Sequence, residues 1–160
     1  MLEAIQAFRS RYSDPRRVND DTPLIRWIST RERIHISPRF ACDYRPRTTL
    51  QAFVKHSVRR GVVFLDGHGR RESRFFAVVV AFYPLSLLLA LAVLRRPGRA
   101  PRAAALAALA AALVGVKRRR SAFEIGSLAL LAPLYAVAHG AGMWRGLMLI
   151  SERRVPRRPA

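Results

Sequence analysis

The chain contains one pair of adjacent acidic residues, Asp20 and Asp21, which is followed directly by Thr22 and Pro23. Asp21 or Thr22 is a suitable helix N-cap, and proline is favoured at the first helical position. A carboxylate at a helix N-terminus can act as a general base when its neighbours tune its pKa. It can equally do no more than cap the helix, and the two roles are compatible. This pair is therefore the first candidate for chemistry.

A second set of polar residues lies on a predicted helix that begins near Thr48 or Thr49. One face of this helix carries apolar residues at helical spacing, namely Leu50, Phe53, Val54, Val58, Val62 and Leu65. The other faces carry Lys55, His56, Arg59 and Arg60. Such a helix suits the membrane interface, with its apolar side among acyl chains and its cations among lipid phosphates. The segment 66–69, Asp-Gly-His-Gly, is expected to end it.

Short elements are predicted on either side of the acidic pair. Apolar spacing favours a helix over 2–12, and a second helix is expected from Pro23 to about Arg31. Alternating residues then predict two short strands, at 33–36 and 40–44, with Pro38 between them. The region 1–47 is therefore expected to mix helix and strand.

Composition points to a membrane protein with cationic flanks. Of the 160 residues, 29 are Lys or Arg and 10 are Asp or Glu, so the formal net charge is +19, yet 51% are hydrophobic. Soluble nucleic-acid-binding proteins are basic but lack long apolar runs, so no nucleic-acid partner is expected. The single cysteine, Cys42, excludes an intrachain disulfide and a cysteine-rich zinc site.

Apolar runs after residue 74 predict membrane-spanning helices. The runs 75–94 and 124–150 are each long enough to cross a bilayer core of roughly 30 Å. The alanine-rich run 103–116 is short, and is either a third crossing or a re-entrant or surface helix. Small residues in the last run, Gly126, Ala138, Gly140 and Gly142, allow close helix packing. The N-terminal portion is expected to be cytoplasmic, whereas basic residues after each run leave the side of the tail, 151–160, open.

The order of these features resembles the C-terminal half of family 2 glycosyltransferases, especially the membrane-bound, processive or lipid-linked enzymes. The matching segments are Ala4-Ile5-Gln6-Ala7-Phe8, Asp20-Asp21-Thr22-Pro23-Leu24-Ile25-Arg26, Ile34-His35-Ile36-Ser37-Pro38-Arg39, Tyr44-Arg45-Pro46-Arg47-Thr48 and His56-Ser57-Val58-Arg59-Arg60-Gly61. In the family, an acidic pair precedes a helix, a strand and a proline lead to an aromatic-basic run, and a helix carries Gln-x-x-Arg-Trp or Gln-x-x-Arg-Tyr-Gly. Membrane helices close the family pattern, as they do here.

The resemblance implies inverting transfer of a sugar from a nucleotide-sugar to a lipid or polysaccharide acceptor. The second acid of the family's pair is the general base, which places that role at Asp21, with Asp20 beside it. Arg59 matches the arginine near the diphosphate, although lipid anchoring would also explain it. His56 stands where the family has glutamine, and Arg60 stands where an aromatic residue would stack on the acceptor. These five residues form the predicted catalytic and substrate-binding set.

The donor-binding half of the family's fold is missing from the sequence. There is no Asp-x-Asp metal motif, no Gly-rich phosphate loop and no βαβ series before Asp20. The nucleotide-sugar and a divalent metal, Mg or Mn, would therefore be held by another half, and this chain would hold neither metal nor cofactor. We expect a truncated or mis-started part of a longer enzyme, one chain of a split enzyme, or a degenerate copy.

The resulting expectation for the architecture has four parts. Region 1–47 is an α/β remnant of a nucleotide-sugar transferase fold, and 48–74 is an interfacial helix and linker. Region 75–150 holds two to three transmembrane helices in a bacterial-type plasma membrane, and 151–160 is a basic tail. The alternative function is that of a non-enzymatic integral membrane protein whose basic helix binds anionic lipid or a partner chain.

Overall fold

The computed structural model describes residues 10, 12, 14, 25, 27–35, 37, 39 and 48–154. Within this part of the chain, all regular secondary structure is helical, and four long helices follow one another. They are α1 (Leu50–His68), α2 (Phe76–Arg95), α3 (Arg99–Lys117) and α4 (Ala122–Arg154). The described architecture is thus an assembly of helices joined by short loops.

Helix α1 begins and ends where the sequence predicts. The Thr49 hydroxyl accepts a hydrogen bond from the backbone N–H of Ala52 at 3.2 Å, which satisfies one of the free donors of the first turn. At the other end, the N–H of Gly69 donates to the carbonyl of Leu65 at 2.8 Å. Of the two predicted caps, Thr48 and Thr49, the structure uses Thr49, and the predicted stop at 66–69 is confirmed.

The three following helices are each long and apolar enough to cross a membrane. The alanine-rich run forms a helix that extends beyond 103–116 at both ends, to 19 residues. At about 1.5 Å per residue, this helix is roughly 28 Å long, close to the thickness of a bilayer core. Its length therefore supports a crossing. Proline is retained inside two of the helices, at Pro84 in α2 and Pro133 in α4.

The apolar surface of these helices faces outward to an extent that suits lipid. Leu88 of α2 is 62% exposed, Leu106 of α3 is 68% exposed and Leu130 of α4 is 80% exposed. The buried core is small by comparison and is centred on Leu65, Val79 and Met143, one residue each from α1, α2 and α4. Large exposed apolar surfaces are typical of membrane-facing helices, so the chain has the character of an integral membrane protein.

Helix α4 is the element on which the others pack. Its most extensive contacts are with α1, and its next most extensive are with α3. Its start is stabilised by a reciprocal capping box, in which the Ser121 hydroxyl accepts from the N–H of Glu124 at 3.3 Å and the Glu124 carboxylate accepts from the N–H of Ser121 at 2.9 Å. Helix α3 contacts the first half of α4, and α1 contacts mainly its second half. Helix α4 therefore links α1 to α3.

The prediction of a strand at 33–36 is wrong for the residues that are described. Arg33, Ile34 and His35 are non-helical, belong to no strand and are exposed, with Ile34 at 47%. A strand is stabilised by a hydrogen-bonded neighbour and by burial of one face, and these three residues have neither. The α/β remnant therefore has no support in the described residues, whereas Ile36 and the second predicted strand, 40–44, lie outside them.

Helical structure is present between Pro23 and Arg31, as predicted. Ile25 and residues 27–29 are helical, and a turn follows at Thr30 and Arg31. The Thr30 hydroxyl donates to the carbonyl of Trp27 at 2.8 Å, and the Arg31 guanidinium lies 4.2 Å from the centre of the Trp27 ring. Of the helix predicted over 2–12, only Ser10 and Tyr12 are described, and both are non-helical.

Candidate functional site

The contact between α1 and α4 positions every described residue of the predicted set. At Gly61 an added Cβ atom would meet the carbonyl oxygen of His139 and would lie 2.8 Å from the backbone nitrogen of Met143. At Gly142 an added Cβ would meet the carbonyl oxygen of Val58. The two helices therefore touch through their backbones, as small residues allow in membrane helix pairs.

The two helices run in the same direction along this contact. Phe53 at the start of α1 lies against Tyr135, with ring centroids 6.5 Å apart. Gly61 follows against Gly142, and Leu65 then lies beside Gly146, where an added Cβ would be 3.1 Å from the Leu65 Cδ2 atom. The two helices are thus parallel over about 18 Å of α1, because residue numbers increase in the same direction on both. A predicted interfacial helix is in fact packed lengthwise on a candidate membrane-spanning helix.

The side of α1 that faces α4 is apolar or small, and the cationic residues lie on the other, exposed sides of the helix. The buried residues include Ser57, whose hydroxyl donates to the carbonyl of Phe53 at 2.8 Å and so needs no other partner. Lys55, Arg59 and Arg60 are exposed, and His56 is half-buried. The helix therefore exposes its cations, and Arg60 lies near enough to α4 for its charge to act on His139.

Three of the five predicted site residues are neighbours on the surface of α1. Arg59 and Arg60 lie three and four positions after His56, which are the spacings that place side chains next to one another on a helix. The structure thus brings His56, Arg59 and Arg60 together on one exposed face. The other two predicted residues, Asp20 and Asp21, lie outside the described residues.

A buried polar cluster at the end of α1 was not predicted from the sequence. Asp66 is completely buried, and its carboxylate accepts a hydrogen bond from the Ser10 hydroxyl at 3.0 Å. The Tyr12 hydroxyl donates to the carbonyl of Val62 at 2.8 Å, and Tyr12 is only 5% exposed. Residues of the N-terminal segment are therefore held against α1. The sequence contained one indication that Asp66 is buried, because Asp66 lies four residues after Val62 and therefore on the apolar face of the helix.

Two further polar residues of α4 are occupied by packing contacts. His139 stacks on Tyr135 at a centroid distance of 5.1 Å and meets Phe64 edge-on at 5.5 Å. Trp144 donates from its indole nitrogen to the Ser86 hydroxyl at 3.1 Å, which joins α4 to α2. These contacts give His139 and Trp144 a role in helix packing.

Among the residues described, no three His, Cys, Asp or Glu side chains are grouped so that they could hold a metal ion. The described site is suited to binding an anion. It has two exposed guanidinium groups on α1, and α1 is packed against the long apolar helix α4. Guanidinium groups recognise phosphate oxygens by paired hydrogen bonds.

Comparisons with protein-family models, with curated proteins and with solved structures gave no match to this chain.

Proposed function

We propose that the chain is the membrane-anchored acceptor side of an inverting, family 2-type glycosyltransferase. In this proposal a donor-binding half, located upstream or on a separate chain, holds the nucleotide-sugar and its divalent metal. The present chain supplies the general base, Asp21, and the cationic face of α1. The proposal places the N-terminal portion on the cytoplasmic side of a bacterial-type plasma membrane.

The observation that carries the proposal is the placement of His56, Arg59 and Arg60 on one exposed face of a helix that cannot shift easily. Because α1 and α4 touch through backbone atoms at Gly61 and Gly142, rotation of a side chain cannot relax the contact. The cationic face therefore has a fixed position relative to a candidate membrane span. A diphosphate leaving group would meet guanidinium groups that are already in place, which is how positioned charge assists reactions of this kind.

The attachment of the N-terminal segment supports the role given to Asp21. The Tyr12 hydroxyl donates a hydrogen bond to the carbonyl of Val62, which lies about one helical turn after Arg59. Farther along the sequence, the chain enters α1 at its N-cap, Thr49. Asp21 is nine residues beyond Tyr12, which limits its distance from Tyr12 to roughly 32 Å even for a fully extended chain. The acidic pair thus belongs to a segment that is tethered to α1 on both sides.

The reaction requires little from this half beyond a base and an anion-binding face. The acceptor hydroxyl oxygen attacks the anomeric carbon of the sugar while the bond from that carbon to the diphosphate oxygen breaks. The hydroxyl proton passes to the Asp21 carboxylate, and the nucleoside diphosphate leaves with the bonding electrons. Arg59 would bind the diphosphate, and His56 and Arg60 would line the acceptor side.

The test is a transfer assay on membranes that contain this chain together with a donor-binding half. A panel of labelled nucleotide-sugars is supplied, and transfer of label to lipid or polysaccharide is measured. Replacement Asp21→Asn should lower the rate roughly 10²- to 10⁴-fold, the usual contribution of a positioned base. Glu32→Gln is the matched control, because Glu32 is an exposed carboxylate of the same segment. Full activity of the Asp21→Asn variant, or no transfer with any donor half, would overturn the proposal.

A second candidate function rests on the exposure of Lys55, Arg59 and Arg60. A non-enzymatic membrane protein would use this face to bind anionic lipid, with each cation near the surface contributing about 1 kcal/mol. In that case Asp21→Asn has no effect, whereas charge reversal at Arg59 and Arg60 abolishes the preference of the reconstituted protein for anionic vesicles. The two candidates therefore make opposite predictions for Asp21→Asn.

A further inference from the structure

A groove lies between α3 and the first half of α4, and Phe53 of α1 also lines it. Its volume is about 760 Å³, and its walls are largely apolar, with Val114 on α3 and Leu128 and Leu131 on α4. One end is closed by Phe53 and Tyr135, and the other reaches the loop between α3 and α4. From Phe123 to Tyr135 the groove follows α4 for roughly 18 Å.

The loop at the open end is strongly cationic. Lys117, the last residue of α3, is followed by Arg118, Arg119 and Arg120, and Arg118 and Arg120 line the groove itself. Of the residues that the structure describes, Glu124 is the one carboxylate that lines the groove, and it pairs with Arg120 at 3.2 Å. Four cations therefore face a single carboxylate, and the Arg118 side chain is exposed. A loop that joins two membrane spans lies at the membrane surface, among lipid headgroups.

Helices α3 and α4 lie close together at Gly115. This residue is buried, and an added Cβ atom there would lie 2.9 Å from the Ile125 Cγ1 atom. Gly115 and Arg118 both line the groove, so its apolar walls start beside the cationic loop.

We propose that this groove binds an anionic phospholipid, with one acyl chain along the apolar walls and the headgroup phosphate on Arg118 and Arg120. The ligand must be both apolar over a length of many carbon atoms and anionic at one end, and an anionic phospholipid has both properties. A free phosphate would leave the apolar walls uncovered, and a neutral lipid would leave the excess positive charge of the loop unbalanced. Apart from Phe53, the lining residues belong to α3, α4 and the loop between them, so the site does not include the cationic residues of α1 and does not depend on sugar transfer.

The test uses the full chain in lipid nanodiscs that contain a phosphatidylglycerol with a photoactivatable acyl chain. The comparison lipid is phosphatidylcholine with the same photoactivatable chain. We expect phosphatidylglycerol to label the walls of the groove, at Leu128 or Leu131, in preference to phosphatidylcholine. The double variant Arg118→Gln/Arg120→Gln should lower that labelling by roughly tenfold, the effect expected for loss of a charge-assisted hydrogen bond.

Two controls separate this site from general attraction of anionic lipid. The double variant Arg96→Gln/Arg99→Gln removes the same charge from the loop between α2 and α3, and its labelling of the groove should be unchanged. Leu131→Trp fills the groove and should lower labelling by phosphatidylglycerol while the cationic loop stays intact. Each variant is first shown to keep its helix content and its thermal unfolding temperature.

Several outcomes would overturn the proposal. Equal labelling by both lipids, with no effect of the arginine variants, would show an ordinary lipid-facing surface. Displacement by inorganic phosphate or glycerol phosphate at millimolar concentration would show a phosphate site without a lipid requirement. Crosslinks to a second copy of the chain in place of lipid would show that the groove is a subunit contact.

Discussion

Gly61 of α1 and Gly142 of α4 lie so close together that neither position has room for a side chain. A Cβ atom on Gly61 would be 2.9 Å from the Gly142 Cα atom, and one on Gly142 would be 3.0 Å from the Gly61 Cα atom. Both obstructing atoms belong to the backbone, so no change of rotamer provides space. The position of α1, and with it that of His56 and Arg59, depends on this pair.

The first prediction concerns the size of these two residues. Gly61→Ala or Gly142→Ala should separate α1 from α4 and lower the free energy of unfolding by about 1–3 kcal/mol, the usual effect of overpacking. Thermal unfolding of the purified chain in detergent, followed by circular dichroism, measures the change. Alanine otherwise favours helix over glycine, so a loss of stability identifies the contact itself.

Gly126→Ala provides the matched control for the glycine pair. Gly126 also lies within α4, but an added Cβ there meets no atom within 4 Å. This variant should unfold at the same or a slightly higher temperature, because alanine has the greater helix propensity. If all three variants behaved alike, the close approach of α1 and α4 would be refuted.

The second prediction concerns the attachment of the N-terminal segment. Tyr12→Phe removes the hydrogen bond to the carbonyl of Val62 but keeps the aromatic ring, at a cost of about 0.5–1.5 kcal/mol. The segment should then detach more often, and trypsin should cleave between Tyr12 and Thr48 roughly 2- to 10-fold faster. Cleavage is followed by mass spectrometry under native conditions.

Tyr135→Phe is the control for this experiment. Tyr135 also has a hydroxyl hydrogen bond, to His139 at 3.2 Å, but it lies on α4 and makes no contact with Tyr12 in the described structure. Its substitution should leave the cleavage rate unchanged. An unchanged rate for Tyr12→Phe as well would mean that the hydroxyl does not hold the segment.

The helices were predictable because their signals are local. A cap at Thr49 and an unbroken apolar run before Arg95 depend only on residues close in sequence, and the structure confirms both. The alanine-rich run 103–116 was predicted to be either a third crossing or a re-entrant or surface helix, because fourteen residues are few for a membrane span. The extension of α3 back to Arg99 supplied the missing length.

The contacts that position the candidate site were not predictable, because they join distant parts of the chain. The small residues of α4 indicated a close helix contact, but nothing local identified Gly61 as the partner of Gly142. Similarly, Asp66 and Ser10 are 56 positions apart, and the sequence indicates only that a carboxylate lies on an apolar face. The predicted strand at 33–36 was wrong at the described residues, 33–35, because alternation alone does not supply a neighbouring strand.

The third prediction concerns the cationic loop after α3. Arg119 has a φ angle of 52°, in the left-handed region that favours glycine, and α3 ends in a Schellman motif around it. The N–H of Arg120 donates to the carbonyl of Gly115 at 3.0 Å, and the N–H of Arg119 donates to that of Val116 at 2.9 Å. Arg119→Gly should therefore raise the free energy of unfolding by roughly 1 kcal/mol, since glycine adopts this backbone without strain.

The neighbouring variant Arg118→Gly separates backbone strain from loss of charge at this loop. Arg118 has a φ angle of −90°, which any residue adopts, so glycine there only adds flexibility to the unfolded chain and should lower stability by up to about 1 kcal/mol. Both variants remove one positive charge, and their unfolding temperatures should nevertheless move in opposite directions. Equal shifts would mean that charge, and not the left-handed backbone of Arg119, governs the stability of the loop.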